Sequence, residues 1–262
     1  MNPNADRMRD KPGRTKHVLT AVLVLLLLWG SYAQTGSSIT ALVQGLPNML
    51  ELLREMFPPR WSYLDNIAGA MLETVRMAIA GTTFGAMLAI PVSLLSASNV
   101  IRRGWIFYPV RLVLNLIRAI PDLLLASIFV AVFGLGVVPG IFALSIFSMG
   151  LIAKLTFESV ETIDPGPLEA MTAVGANKIQ WIVYGLIPQV SPSFISYVLY
   201  TFEINVRAAA ILGLVGAGGI GQYYEKTLGF LEYDKTNTII VFTLAVVLLI
   251  DYASTWLRGK LG

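Results

Sequence analysis

A chain of 262 residues that is 55% hydrophobic and only 13% charged has too little polar surface to cover a water-exposed body, since soluble domains are about a quarter charged. A net charge of +3 calls for no nucleic acid, and the absence of cysteine excludes disulfides and thiolate metal sites. The one histidine, His17, sits in the basic N-terminal stretch without a histidine partner and reads as solvated or interfacial rather than metal-binding.

A membrane-spanning helix needs about 20 mostly apolar residues. Six segments approach or exceed that length, at roughly 17–34, 66–98, 105–134, 138–157, 188–213 and 238–257. The first also meets the pattern of a cleavable signal, with basic residues, an apolar run from Val18 and the small-residue site Ser31-Tyr32-Ala33; either reading leaves five further spans. Between 39 and 57, Ile39, Leu42, Val43, Leu46, Met49, Leu50, Leu53 and Phe57 recur at helical spacing. They predict an amphipathic helix lying on the outer interface or packed on the bundle. The second and third segments are long enough to tilt or break, and carry Pro91, Pro109 and Pro121. Proline removes a backbone donor, so breaks there would face protein or a cavity.

Basic residues give an orientation. Arg7, Arg9, Lys11, Arg14 and Lys16 precede the first span, Arg102 and Arg103 follow the second, Lys178 precedes the fifth, and Arg258 and Lys260 follow the sixth. Six crossings put all of these on one side, which the positive-inside rule makes cytoplasmic along with both termini. The reading is thus an all-α integral membrane protein with six transmembrane helices. It comprises a basic tail and first helix (1–34), an extracytoplasmic loop with the amphipathic helix (35–65), a five-helix core (66–257) and a short cytoplasmic tail (258–262).

The core holds one polar, turn-punctuated element at about 160–187, between the fourth and fifth spans. Asp164-Pro165-Gly166-Pro167 predicts a helix start with Glu169 in its first turn, where a negative charge complements the helix dipole. Ala170 and Ala173 keep its surface small. Gly175 allows a left-handed stop, and Asn177 caps a second short helix that ends before Pro188. A short helix, a glycine and a second helix in water fit either an ordinary loop or a grip for a soluble partner.

Farther on, Gly216, Gly218 and Gly221 spell G-x-G-x-x-G, but a membrane helix precedes them, Gln222-Tyr223-Tyr224-Glu225 follows, and position 241 is Val rather than acidic. Dinucleotide binding therefore lacks its context. With Gly219, these glycines form either a plain turn or a gate at the outer mouth.

The element around Glu169 resembles the EAA motif of ABC-importer permeases: Glu169-Ala170, Gly175 six residues after the glutamate, and Leu186-Ile187-Pro188, with Met171 at the third position. Further stretches resemble the phosphonate branch of those permeases: Arg118-Ala119-Ile120-Pro121, Gly134-Leu135-Gly136, Asp164 to Ala170, Tyr184 to Val190, Phe202 to Arg207, and Ile211 to Gly221. The resemblance covers about 50–257. Arg207-Ala208-Ala209-Ala210 departs from it by lacking hydroxyls, which leaves the exact ligand open.

The resemblance implies the type I ABC importer fold in a bacterial inner membrane. It also implies an ATPase-coupling role for Glu169, Ala170, Met171, Ala173, Gly175 and Ala176. It implies import of alkylphosphonates, phosphite or hypophosphite by a homodimer of this chain, with two ATP-binding subunits and an extracytoplasmic binding protein. ATP and Mg would be bound by the partner subunits and no cofactor by this chain. The residues agree that ATP chemistry lies elsewhere, because the only Gly-Lys, Gly259-Lys260, is followed by Leu261 rather than Ser or Thr.

Ionisable groups in lipid are costly and default to functional or paired. Glu73 precedes Arg76 by three residues, Arg118 precedes Asp122 by four, and Glu203 precedes Arg207 by four, so each pair shares a helix face. Either the pairs neutralise themselves facing the bundle, or the arginines line the route of an anion. In the second reading Arg207 and Arg118, with Arg76, are pathway residues, and Glu203 and Asn205 set their orientation. A membrane enzyme lacks converging acid, base or metal ligands here, and a stand-alone channel or carrier leaves the polar element unexplained.

Overall fold

The computed structural model describes residues 14–35 and 39–260, and its regular structure is helical, with no strand among the described residues. Arg7, Arg9 and Lys11 of the orientation reading, and Leu261, lie outside the described residues. The chain forms two compact units, Met1–Arg54 and Glu55–Gly262. The first contains α1 (Arg14–Thr35) and most of α2 (Ile39–Met56), and α2 carries Pro47 inside it. In α1, Lys16–Thr35 is apolar and long enough to cross a membrane.

The second unit is built on α3 (Leu64–Ser96), α6 (Val137–Thr162) and α9 (Ile187–Leu212). Helices in lipid gain little from the hydrophobic effect against each other and associate through close packing of small residues. Gly81 and Gly85 of α3 supply this, lying so close to Leu144 and Ser148 of α6 that neither has room for a Cβ. Ile67, Met77, Leu144, Val206 and Leu212 fill one buried cluster, and Ile152, Phe157, Val160 and Leu186 a second. Asn205 of α9 is fully buried and donates through Nδ2 to Thr82 Oγ1 of α3 at 2.7 Å and to Ser148 Oγ of α6 at 2.6 Å. One amide thus joins the three central helices.

The expected third span, 105–134, is two helices: α4 (Gly104–Ala119) and α5 (Asp122–Phe133), bent by 87°. Pro121 causes the break. Its ring pushes Ile120 into the extended region (φ −78, ψ 123), and it offers no N–H to continue the ladder. Pro91 and Pro109, by contrast, sit inside α3 and α4 without interrupting them. Five helical segments are long and apolar enough to cross a membrane, and the α4–α5 pair makes a sixth if it counts as one span.

Three shorter helices complete the unit. They are α7 (Pro165–Ala173), α8 (Lys178–Gln180) and α10 (Ile220–Gly229), the last in a stretch for which no helix is expected from the sequence. The final helix is α11 (Tyr233–Arg258). Near its start Asp234 pairs with Arg60 at 2.7 Å, and Asn237 donates to the Met56 carbonyl at 2.8 Å.

Candidate functional site

The polar element leaves α6 at Ile163 and re-enters the bundle along α9. Asp164 is its N-cap, accepting from the Gly166 N–H at 2.9 Å. Because Pro165 is the first helical residue, Glu169 falls in the second turn of α7 rather than the first, and the acidic group that meets the helix start is Asp164. Leu168 is the one buried residue of α7, and Met171 is half-buried. Glu169, Ala170, Thr172 and Ala173 are exposed, and Val174 just beyond is 80% exposed. Gly175, at φ +77, takes the left-handed conformation that stops the helix, and the Ala176 N–H closes the turn on the Met171 carbonyl at 3.0 Å.

Asn177 and Gln180 then form a reciprocal capping box, each side chain accepting from the other's backbone at 2.9 Å. The helix they start does not end before Pro188, contrary to expectation. It widens into a π-helical turn, Trp181–Leu186, and runs on as α9, so Lys178–Val215 is one helical run. A wide turn suits the position: the proline ring presses on the carbonyl of the preceding turn, and π spacing relieves that crowding. Gln189 also donates to the Gly185 carbonyl at 2.9 Å. Between α7 and the α3–α4 loop lies an open groove of 730 Å³ whose lining includes Asn99, Arg102, Glu161, Glu169 and Trp181.

The intramembrane charges singled out from the sequence fall into three groups. Glu203, only 8% exposed, accepts from Arg207 at 2.8 Å, as its spacing predicts, and also from Arg258 at 3.0 Å. Arg207 remains 48% exposed. Arg258, assigned by sequence to the tail, is the last residue of α11 and lies over the Tyr200 ring at 5.8 Å.

Arg118 and Asp122 do not pair, because the break at Ile120-Pro121 removes the helical register between them. They line a common cavity instead. Glu73 and Arg76 are exposed on α3 and form no ion pair among the described residues. Asn205, being fully buried, fixes α9 against α3 and α6 and presents nothing to a pathway.

The glycine run is a close-packed turn. Gly216, Gly218 and Gly219 have φ of +85, +83 and +72, and a Cβ on Gly213 would stand 2.6 Å from the Gly221 Cα. Thr74 of α3 accepts from the Ile220 N–H at 2.8 Å, and Gly216 accepts from the Gly136 N–H at 2.9 Å. This geometry favours the plain-turn reading over a gate.

Sequence reasoning passed over Arg111 and Glu161. Glu161, near the end of α6, accepts from the Ser98 N–H at 2.7 Å, from the Ser98 hydroxyl and from Arg111. Arg111 also donates to the Ser96 carbonyl at 2.8 Å and stacks on Phe107 and Phe157 at 5.0 and 4.6 Å. An arginine inside the 105–134 apolar run was signal enough to single it out. Its partner, 50 residues on, is beyond any spacing rule. The G-x-x-x-G at Gly81 and Gly85 was equally legible as a helix-packing motif.

Residues 89–261 match the family described as "Binding-protein-dependent transport system inner membrane component". The permease protein HtxC of Stutzerimonas stutzeri, named for a phosphite transport system, is 38% identical over 254 residues, which is 97% of this chain and 90% of that protein. The phosphite transport system permease protein PtxC of the same organism is 36% identical over 219 residues, covering 84% and 80% respectively. Among solved structures, the MetNI methionine ABC transporter in an inward-facing conformation superposes with a TM-score of 0.68 at 25% identity, covering 75% of this chain and 96% of that one. With helices sufficient for five or six crossings, the chain belongs to the inner membrane components of binding-protein-dependent transport systems, as a multi-pass ABC importer permease of the type I fold.

Proposed function

We propose that this permease is the transmembrane subunit of an ATP-driven importer of phosphonates or of the reduced phosphorus oxyanions phosphite and hypophosphite. The observation that carries the substrate reading is the extent of the similarity to the two phosphite-named permeases, which takes in most of the chain and not the EAA element alone. Two copies of the chain form the pathway. Two ATP-binding subunits hydrolyse ATP with Mg, and an extracytoplasmic binding protein delivers the anion. Both termini face the cytoplasm by the positive-inside count.

In this reading α7 is the coupling helix. Its exposed small residues Ala170 and Ala173, with Glu169, Met171, Gly175 and Ala176, give a compact projecting surface on which an ATPase can seat closely. Arg207, half exposed and held by Glu203, is a cation at the pathway wall, and Arg118 is a second. Arginine suits phosphorus oxyanions because its donors are fixed in a planar fork.

The test is growth on phosphite or methylphosphonate as sole phosphorus source. The host is a strain lacking its own uptake of these anions and supplied with this permease, its ATPase and its binding protein. Growth on either supports the reading; growth on neither, nor on hypophosphite, with the permease present in the membrane, overturns the substrate class.

A further inference from the structure

At the α4–α5 break, Ile117, Ile120, Leu125, Phe147 and Leu151, together with Arg118 and Asp122, line a partly open cavity of 110 Å³, in which Arg118 is exposed and Asp122 half-buried. One water needs only about 10–15 Å³ of such space, so the cavity has room for a small tetrahedral anion. Gly150, whose side α4 crosses here, lies about 20 Å along α6 from Val137, near the middle of that helix's length. A cation at that depth is costly without a partner. Yet the Arg118 guanidinium has no ion pair or hydrogen bond among the described residues. Its stem is held in place, since a Cβ on Gly150 would stand 2.8 Å from Arg118 Cγ. Asp122 Oδ1 accepts from the Leu123 N–H at 2.9 Å, and its other oxygen forms no hydrogen bond among the described residues.

The cavity therefore has one cationic donor group, one free carboxylate acceptor and an otherwise apolar wall. We infer that it is a substrate subsite selective for a singly protonated phosphorus oxyanion with one P–H or P–C bond. This rests on the phosphorus-oxyanion reading above. The ionised oxygens meet Arg118, the P–OH donates to Asp122, and the hydrogen or alkyl group faces Leu125, Phe147 and Leu151. Phosphate puts a fourth oxygen against that wall and loses its hydration there without a compensating hydrogen bond. Sulfate has the same fourth oxygen and, at neutral pH, no proton to give Asp122.

The permease–ATPase complex in lipid nanodiscs, without binding protein, tests this by equilibrium binding of labelled methylphosphonate against unlabelled phosphate and sulfate. The expected result is roughly tenfold or greater preference for methylphosphonate over phosphate, the scale of one uncompensated oxygen. Arg118→Gln abolishes binding. Leu151→Ser, which leaves both charged groups in place, narrows the preference severalfold by offering the fourth oxygen a donor. Equal binding of phosphate and methylphosphonate overturns the inference, as does unchanged selectivity in Leu151→Ser. Absence of binding, with methylphosphonate uptake by the complete transporter intact, overturns the subsite and leaves the function standing. If the complete transporter takes up neither phosphonate nor phosphite, the functional reading itself has failed and the subsite with it.

Discussion

Arg258 donates to Glu203 at 3.0 Å across 55 residues of chain, tying the end of α11 to the helical run that follows α7. Glu203 is the buried member and holds two arginines at once. Arg258 is a quarter exposed and Arg207 half exposed; in the proposed function the first serves the fold and the second the anion route. The two roles separate by mutation. Arg258→Ala should destabilise the protein by roughly 1–3 kcal/mol, less than a fully buried pair because water screens part of it. Arg207→Ala should cost less stability and abolish uptake. Thermal unfolding in nanodiscs beside transport assays checks both, and normal uptake by Arg207→Ala removes that residue from the pathway.

Asn205 sets the position of α9 rather than touching an anion. Asn205→Ala should lower stability by about 1–2 kcal/mol, the upper range for interhelical hydrogen bonds in membranes. Uptake per folded molecule should stay within a factor of a few. Loss of uptake at full stability would return Asn205 to the pathway.

Gly85 and Gly69 lie in the same helix with opposite surroundings. A Cβ on Gly85 meets the Ser145 carbonyl at 2.8 Å and the Met149 nitrogen at 2.9 Å, whereas Gly69 has nothing within 4 Å. Gly85→Ala should destabilise by about 1–3 kcal/mol through overpacking of α3 on α6. Gly69→Ala should be neutral or slightly stabilising, by up to about 1 kcal/mol from helix propensity. Comparing the two unfolding midpoints decides it.

On α7, the proposed coupling helix, Ala173→Phe adds bulk to an exposed face and should leave unfolding unchanged while reducing co-purification of the ATPase at least tenfold. Gly175→Val forces a β-branched residue to φ +77 and should misplace the Asn177 capping box, lowering both ATPase docking and stability. Retained docking in Ala173→Phe would mean that the partner grips elsewhere.

Much of this was legible from the chain alone. Apolar length located the spans, Gly175 and Asn177 announced a stop and a start, and Glu203–Arg207 followed from a four-residue spacing. The failures share a cause, which is that spacing rules assume an unbroken helix and see only local partners. Pro121 breaks the register between Arg118 and Asp122, while Pro188, which reads as a stop, follows a π turn that carries the helix through it. Glu161 and Arg111, like Glu203 and Arg258, meet only through the tertiary fold. Gly150 carried no signal of its own until α4 was laid across it.

The most direct test of the central claim is uptake of labelled methylphosphonate or phosphite into proteoliposomes that hold this permease, its ATPase and ATP, with binding protein outside. ATP-dependent accumulation that disappears when the ATPase subunit is omitted is the expected result. Equal flux through vesicles containing this chain alone would contradict the account.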